Sequence, residues 1–264
     1  MRRGDVVEAV HRVHVATSEH VLYGTNLTMF LRSAAKPIQA VALAESYDDL
    51  DDDELAIACA SHQAEPPQLA AVRKLLARAG ATVDDLENGP QEGRPEGKLG
   101  HNCSGKHAGM LAACRANGWP FSGYRFREHP LQRRVAELIG PVDTALDGCG
   151  LPTYAYTLTE AAALLLRTPA RIAAAMRARP ELVGRLDGAD VALMLARPGW
   201  LAKAGAEGLV CAVSPDGTAY AFKVEDGNTR ALGPAVGALL GIEELARTEL
   251  SNSLGEPVGA IVAG

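Results

Sequence analysis

Ser33 and Lys36 have the types and the spacing of a nucleophile and its base. Residues three apart lie on one face of a helix, so the lysine amine can reach the serine hydroxyl. A serine needs a base to become a good nucleophile, and a partly buried lysine can lose its proton near neutral pH. The same pair also arises by chance, because serine often caps helices and lysine is common on surfaces. Ser33 and Lys36 are therefore a candidate catalytic pair that other residues must support.

Ser61 and His62 form a second candidate pair, at the end of a predicted helix and shortly before Pro66. They would supply a hydroxyl and an acid–base group on a loop. The alternative is a helix C-terminus at which the histidine interacts with the last carbonyl groups.

Residues 100–110 hold two histidines, a cysteine, a lysine and an asparagine at the start of a predicted helix. A helix start stabilises a thiolate or an anion, so Cys103 is either a nucleophile or a soft metal ligand. Cys149 lies between two glycines in residues 147–152. It either completes a site with Cys103 or is buried in a tight turn.

Lys223 lies on a predicted strand, on the face opposite Phe222 and Val224 because side chains alternate along a strand. A strand lysine that faces a helix-borne Ser–Lys pair is the arrangement of penicilloyl-type serine hydrolases. The alternative is a charged residue on a solvated face.

The elements that must position these residues are strands at both ends of the chain and helices between them. Strands are predicted at 6–15, 20–25, 208–213 and 219–224, with a hairpin turn at 214–217. Helices are predicted at 34–43, 51–59, 66–78, 106–115, 130–139, 158–167, 171–179, 189–196, 234–240 and 243–249, and a surface loop or linker at 87–97. This order predicts an α/β chain of the α+β kind, in which an antiparallel sheet from both chain ends is flanked by helices and a helical subdomain is inserted.

Composition narrows the class of protein. The chain has 264 residues with a formal net charge of −6, which argues against nucleic acid as a partner. No apolar run is long enough to span a membrane, and the first residues do not form a secretory signal. The five cysteines are odd in number and scattered, which argues for a reducing compartment. We therefore expect a single domain in the cytoplasm, without membrane attachment.

Taken together and in this order, six stretches resemble the rhizobial-type L-asparaginases. They are residues 32–37 (RSAAKP), 60–62 (ASH), 102–107 (NCSGKH), 147–152 (DGCGLP), 203–208 (KAGAEG) and 223–227 (KVEDG). The run NCSGKH is the most specific of them. The resemblance implies a fold similar to serine β-lactamases and glutaminases. It also implies hydrolysis of the side-chain amide of L-asparagine to L-aspartate and ammonia.

The resemblance further implies a role for each matching residue. The catalytic residues would be Ser33 with Lys36 and Ser61 with Lys223, the substrate-binding residues Arg32, His62, Asn102 and Asp147, and the zinc ligands Cys103, Lys106 and Cys149. The implied partners are a small amino-acid amide as substrate and a second copy of the chain in a homodimer. Ala64 and Gln68 depart from the glycine and histidine expected there, which puts the rim after Ser61 in doubt.

Two other functions stay open at this point. The Ser33–Lys36 pair supports a β-lactamase-like hydrolase or transpeptidase equally well. A zinc-holding protein without enzyme activity, with Cys103 and Cys149 as structural ligands, is the other alternative, although structural zinc usually takes four protein ligands.

Overall fold

The computed structural model describes residues 1–264 and contains twelve strands and eleven α-helices. The strands are β1 (Arg2–Arg3), β2 (Val6–Val7), β3 (Val13–Thr17), β4 (Val21–Tyr23), β5 (Thr28–Phe30), β6 (Thr144–Leu146), β7 (Pro152–Thr157), β8 (Leu201–Gly205), β9 (Leu209–Val213), β10 (Ala219–Val224), β11 (Arg247–Ser251) and β12 (Pro257–Val262). The helices are α1 (Lys36–Gln39), α2 (Val41–Ala44), α3 (Asp52–Ala58), α4 (Pro66–Ala79), α5 (Ser104–Asn117), α6 (Pro130–Ile139), α7 (Leu158–Leu166), α8 (Ala170–Ala178), α9 (Pro180–Val183), α10 (Ala189–Ala196) and α11 (Leu232–Leu240). Three 3-10 helices cover Arg32–Ala35, Val83–Asp85 and Thr229–Ala231.

The chain divides into two compact units. The first, here the sheet unit, comprises Met1–Met29, Thr157–Leu166 and Asp187–Gly264, and the second, the helical unit, comprises Phe30–Tyr156 and Arg167–Leu186. In sequence, the residues of the helical unit are inserted between segments of the sheet unit, as predicted. The prediction of a single domain stays a prediction.

The sheet unit is built on a five-stranded antiparallel sheet with the order β4-β3-β10-β9-β8. Strands from the two ends of the chain meet at its centre, where β10 pairs with β3 and Lys223 lies opposite His14. Helices α7, α10 and α11 pack on this sheet. The predicted α+β class, with an antiparallel sheet from both chain ends, is therefore confirmed.

A second antiparallel sheet of this unit has the order β11-β12-β1-β2. It corrects one prediction, because residues 243–249 do not form a helix: from Arg247 the chain is strand β11, paired with β12. Side chains along β11 alternate between exposed and half-buried. The pairing with a strand that comes later in the chain decides the conformation here, and a local pattern does not report it.

The helical unit packs α3 against α4, α5, α8 and α9. Helix α5 approaches α3 so closely that a Cβ atom at Gly105 would lie 2.3 Å from the Ile57 carbonyl oxygen, so only glycine fits there. The predicted helix 34–43 is a 3-10 turn followed by α1 and α2, with a hydrogen bond from Ala40 N to Lys36 O at 2.9 Å across the break. Residues 87–97 hold neither helix nor strand, as the prediction of a loop requires.

Across the whole chain, no helix is both long and apolar enough to cross a membrane.

Candidate active site

Lys36 lies at the first position of α1 and is completely buried in the helical unit. Its Nζ donates a hydrogen bond to Ser61 Oγ at 3.0 Å and a second one to the Ala60 carbonyl oxygen. Ser33 lies in the 3-10 turn just before, and its carbonyl oxygen accepts a hydrogen bond from the Lys36 backbone N–H. The structure therefore brings the lysine of the first candidate pair onto the serine of the second.

Ser61 follows the end of α3 and is held by backbone hydrogen bonds on both sides. Its N–H donates to the Val183 carbonyl oxygen at 2.8 Å, and the next N–H, that of His62, donates to the Asn102 carbonyl oxygen at 3.1 Å. At Ala64 the backbone turns through φ +63°, a left-handed conformation that favours glycine. The departure from glycine noted in the sequence therefore falls on a strained turn.

Gln68 satisfies the backbone of this turn from the first turn of α4. Its Oε1 accepts hydrogen bonds from the N–H groups of Gln63 at 2.8 Å and Glu65 at 3.2 Å. Its Nε2 donates to the carbonyl oxygens of Glu181 at 2.9 Å and Gly184 at 3.1 Å. A histidine ring has only two nitrogens, so it could not make all four of these bonds.

His62 is buried and both ring nitrogens have protein partners. Nδ1 accepts the Ala64 N–H at 3.1 Å, so Nε2 carries the proton and donates to Ser104 Oγ at 2.8 Å. The Ser104 hydroxyl in turn donates to the Leu99 carbonyl oxygen at 2.7 Å. Burial, then the positive charges of Lys36 and Arg94, lower the pKa of His62 from 6.5 to about 3, so the ring is neutral. This arrangement fixes the segment after Ser61, and direct contact with substrate stays a prediction for this residue.

Cys103, Lys106 and Cys149 form a buried cluster at the start of α5. A hydrogen bond from the Cys149 thiol lowers the pKa of Cys103, which outweighs the effect of burial, and Lys36 and Lys106 lower it further. The pKa of Cys149 is raised because it donates that bond and because it is buried. Burial favours the neutral amine of Lys106, but the two sulfurs and Asp147 outweigh it and raise its pKa. Lys106 Nζ lies 3.2 Å from Cys149 Sγ.

The two sulfurs of this cluster are donors of the kind that zinc accepts, and zinc sites with three protein ligands keep a position open. No group of three or more His, Cys, Asp or Glu side chains is placed to hold a metal, so a zinc site here would need the Lys106 amine as its third ligand. That amine would first have to lose the proton that the two sulfurs and Asp147 favour on it. None of the five cysteines is in a disulfide, and all five are buried.

Arg32 and Asp147 form an ion pair in the same unit, with Arg32 Nε 2.5 Å from Asp147 Oδ1. The Arg32 backbone has φ +49° and donates to Thr153 Oγ1 at 3.1 Å. The Gly148 N–H donates to Asp147 Oδ1 at 2.7 Å. Both side chains are partly exposed to solvent, 28% for the arginine and 11% for the aspartate, so a small molecule can contact them.

Lys223 lies in the sheet unit, on the central strand β10. Its Nζ donates to the carbonyl oxygens of Glu207 at 2.6 Å and Val224 at 2.5 Å. Burial lowers the pKa of Lys223. The predicted pairing of Lys223 with Ser61 stays a prediction.

Sequence reasoning did not assign a role to Lys203, which the structure buries completely on β8. Its Nζ lies 3.0 Å from Asp190 Oδ2, and the same oxygen accepts the Ala204 N–H at 2.8 Å. The signal in the sequence was its place in the stretch KAGAEG, but only the structure shows its carboxylate partner.

His107, in the stretch NCSGKH, is another residue to which sequence reasoning assigned no role. Tyr124 OH accepts the Glu87 N–H at 2.9 Å and lies 2.6 Å from His107 Nδ1, so the hydroxyl proton points to the histidine. Burial lowers the pKa of His107, and its Nε2 has no hydrogen-bond partner. The neutral ring therefore carries a buried N–H donor beside the cysteine cluster.

In comparison with protein families, a family described as L-asparaginase II matches the chain over residues 1–262. No curated protein matches the sequence significantly.

Proposed function

The chain belongs to the L-asparaginase II family, and from this membership we propose that it hydrolyses L-asparagine to L-aspartate and ammonia through an ester on a serine. The family implies an amidohydrolase; the choice of L-asparagine and of a Ser–Lys mechanism is our proposal. The observation that supports it most is the contact between the Nζ of buried Lys36 and Ser61 Oγ at 3.0 Å. An amine on a serine hydroxyl can exchange a proton with it, so Lys36 and Ser61 can act together as base and relay for a nucleophile beside them.

In the proposed first step, the Ser33 hydroxyl attacks the side-chain amide carbon of asparagine. Lys36, when neutral, takes the hydroxyl proton. The tetrahedral oxyanion that forms needs hydrogen-bond donors, for which we propose backbone N–H groups and the Ser61 hydroxyl. The C–N bond then breaks, and ammonia leaves with the proton from Lys36. Water hydrolyses the β-aspartyl ester and restores Ser33.

Lys36 can serve both serines because it is one turn from Ser33 and hydrogen-bonded to Ser61. We assign Ser33 as nucleophile and Ser61 as the hydroxyl that relays the proton or polarises the amide. Lys223 stays our proposal for a second lysine acting with Ser61. Lys223→Met tests this proposal. The variant should have a lower melting temperature, because two carbonyl oxygens lose their donor, and it should release ammonia more slowly when assayed well below that temperature.

The ion pair of Arg32 and Asp147 offers charges of both signs for the two charged groups of an amino acid. We propose that Arg32 binds the α-carboxylate and Asp147 the α-ammonium group, and that Asn102 and His62 complete the substrate pocket. A substrate without these groups, such as a simple aliphatic amide, is then expected to react far more slowly.

We propose that Cys103, Lys106 and Cys149 hold zinc. When bound, the cation would neutralise the sulfur charge and hold the start of α5 to the loop of residues 147–152. Water activation is not part of the proposed role. We also propose a fold related to serine β-lactamases, a single functional domain and a cytoplasmic location. We further propose a homodimer, which light scattering tests.

Ammonia release from purified protein tests the proposed function. We expect L-asparagine to be hydrolysed and Ser33→Ala, Ser61→Ala and Lys36→Met to reduce the rate by at least about 100-fold, the scale of a lost catalytic group. Ser46→Ala is the matched control, because its hydroxyl bonds no candidate site residue: it donates to the Ala42 carbonyl oxygen at 2.6 Å and accepts from Asn117 Nδ2 at 2.9 Å. Near-normal ammonia release by Ser33→Ala would show that this serine is not the nucleophile.

The Lys36–Ser61 contact also suits a β-lactamase-like hydrolase, so the same preparations should be offered nitrocefin. Turnover of nitrocefin without ammonia release from L-asparagine would favour that alternative. Unfolding on chelation, with no turnover of either compound, would favour a structural zinc protein.

A further inference from the structure

Arg94, in the loop of residues 87–97, bonds the segment that carries Ser61. Its Nη1 donates to the His62 carbonyl oxygen at 2.9 Å and its Nη2 to Gln63 Oε1 at 2.8 Å. The guanidinium group is planar and rigid, so two bonds to neighbouring residues fix their position together. We call these two bonds the Arg94 bridge.

The same loop also reaches the other side of the His62 peptide. Gln91 Oε1 accepts the Asn102 N–H at 2.9 Å, and the Asn102 carbonyl oxygen accepts the His62 N–H at 3.1 Å. The loop therefore holds the carbonyl group of His62 directly and its N–H group through Asn102.

The segment needs such support because Ala64 has the left-handed φ of +63°. An L-residue in this conformation persists only where the surroundings hold it. Without the Arg94 bridge, the His62 carbonyl group is free to turn, and the chain between Ser61 and Ala64 can relax to a less strained path.

We propose that Arg94 is a positioning residue, which keeps Ser61 Oγ within hydrogen-bonding distance of Lys36 Nζ by holding the His62 carbonyl group. The inference rests on the proposed function for its effect on rate. It makes the loop of residues 87–97, which the sequence marks only as a loop, part of what sets the geometry of the active site.

The test compares Arg94→Ala and Arg94→Lys with a control on α4 whose side chain bonds the same loop. Arg73→Ala removes an exposed ion pair, in which Arg73 Nη2 lies 3.0 Å from Glu96 Oε2, and touches neither His62 nor Gln63. We expect Arg94→Ala to lower kcat for ammonia release by about 10- to 100-fold with a smaller change in KM, as small misplacements of reacting groups do. Arg94→Lys keeps the positive charge and one donor nitrogen without the planar fork, so it should recover part of kcat, and Arg73→Ala should stay near the wild-type value.

Hydrogen exchange supplies a readout that does not depend on turnover. In Arg94→Ala, the amides of residues 61–65 should exchange faster than in the wild type, whereas in Arg73→Ala they should not. Wild-type kcat in Arg94→Ala, or an equal loss of kcat in Arg73→Ala, would overturn the proposal, as would unchanged exchange at residues 61–65. If the wild type releases no ammonia, the proposed function fails, and the exchange comparison alone decides whether the Arg94 bridge holds the segment.

Discussion

Protonation of His62 should destabilise the folded protein in mild acid. The ring accepts a hydrogen bond from the Ala64 N–H at Nδ1 and donates from Nε2 to Ser104 Oγ. A second proton on Nδ1 would face the Ala64 N–H, which is itself a donor, so that hydrogen bond would be lost. The pKa of His62 is lowered from 6.5 to about 3, mainly by burial. His62 therefore binds a proton near pH 6.5 in the unfolded chain, but only near pH 3 in the folded chain.

The sign and size of the effect follow from this difference. The stabilising contribution is fully present above pH 6.5 and is lost progressively as the pH falls from 6.5 towards 3. Each pH unit in that window costs about 1.4 kcal/mol, so a fall to pH 5 costs about 2 kcal/mol. This is a sizeable part of the free energy of unfolding of an ordinary domain.

Urea denaturation at pH 7.5 and pH 5, followed by tryptophan fluorescence, measures the effect. His62→Asn should be less stable than the wild type at both pH values, but its additional loss in acid should be about 2 kcal/mol smaller than in the wild type. His20→Asn, which removes an exposed histidine, is the control and should lose as much in acid as the wild type. An equal acid loss in His62→Asn and the wild type would refute the reasoning.

Three further predictions concern stability and metal. Ala64→Gly should raise the free energy of unfolding by about 0.5–1 kcal/mol, because glycine adopts a φ of +63° without strain. The control Ala70→Gly, on the exposed face of α4, should lower it by about 1 kcal/mol. Urea denaturation measures both values, and a loss of stability in Ala64→Gly would contradict the assignment of strain. Lys203→Met leaves Asp190 buried without its cation and should cost about 3–5 kcal/mol, of which Asp190→Asn in the same chain should restore a part; no loss in the single variant would show that the pair is not closely coupled. Cys149→Ser should bind zinc more weakly than the wild type in a chelator competition, and equal affinity would exclude Cys149 as a ligand.

Local sequence signals predicted the elements whose first and last residues are set by nearby residues, such as a proline or a capping side chain. Residues 66–78 became α4 because a proline starts the helix and leucines recur at helical spacing, and Gly80 ends it with φ +60°. Asp51 starts α3 with a capping box to Glu54, as the acidic run indicated. Elements that depend on a distant partner were missed or misassigned, among them β11, β12 and the strands β7 and β8.

The candidate site shows the same division. The sequence predicted Lys36 as a base, and helical spacing predicted Ser33 as its partner. The hydrogen bond that the structure shows goes instead to Ser61, 25 positions later in the chain. At Ala64, where glycine was expected, the structure has a left-handed φ of +63°. Gln68 suits the turn because it makes four hydrogen bonds to two segments, residues 63–65 and 181–184, and the second pair is a tertiary contact that no local pattern contains.

The most direct test of the central claim is to trap the covalent intermediate. Wild-type protein is mixed with L-asparagine, quenched in acid during turnover, digested and mapped by mass spectrometry. A β-aspartyl ester on the peptide that contains Ser33, absent from Lys36→Met, is the result we predict. Ammonia release without any ester on Ser33 would contradict the account.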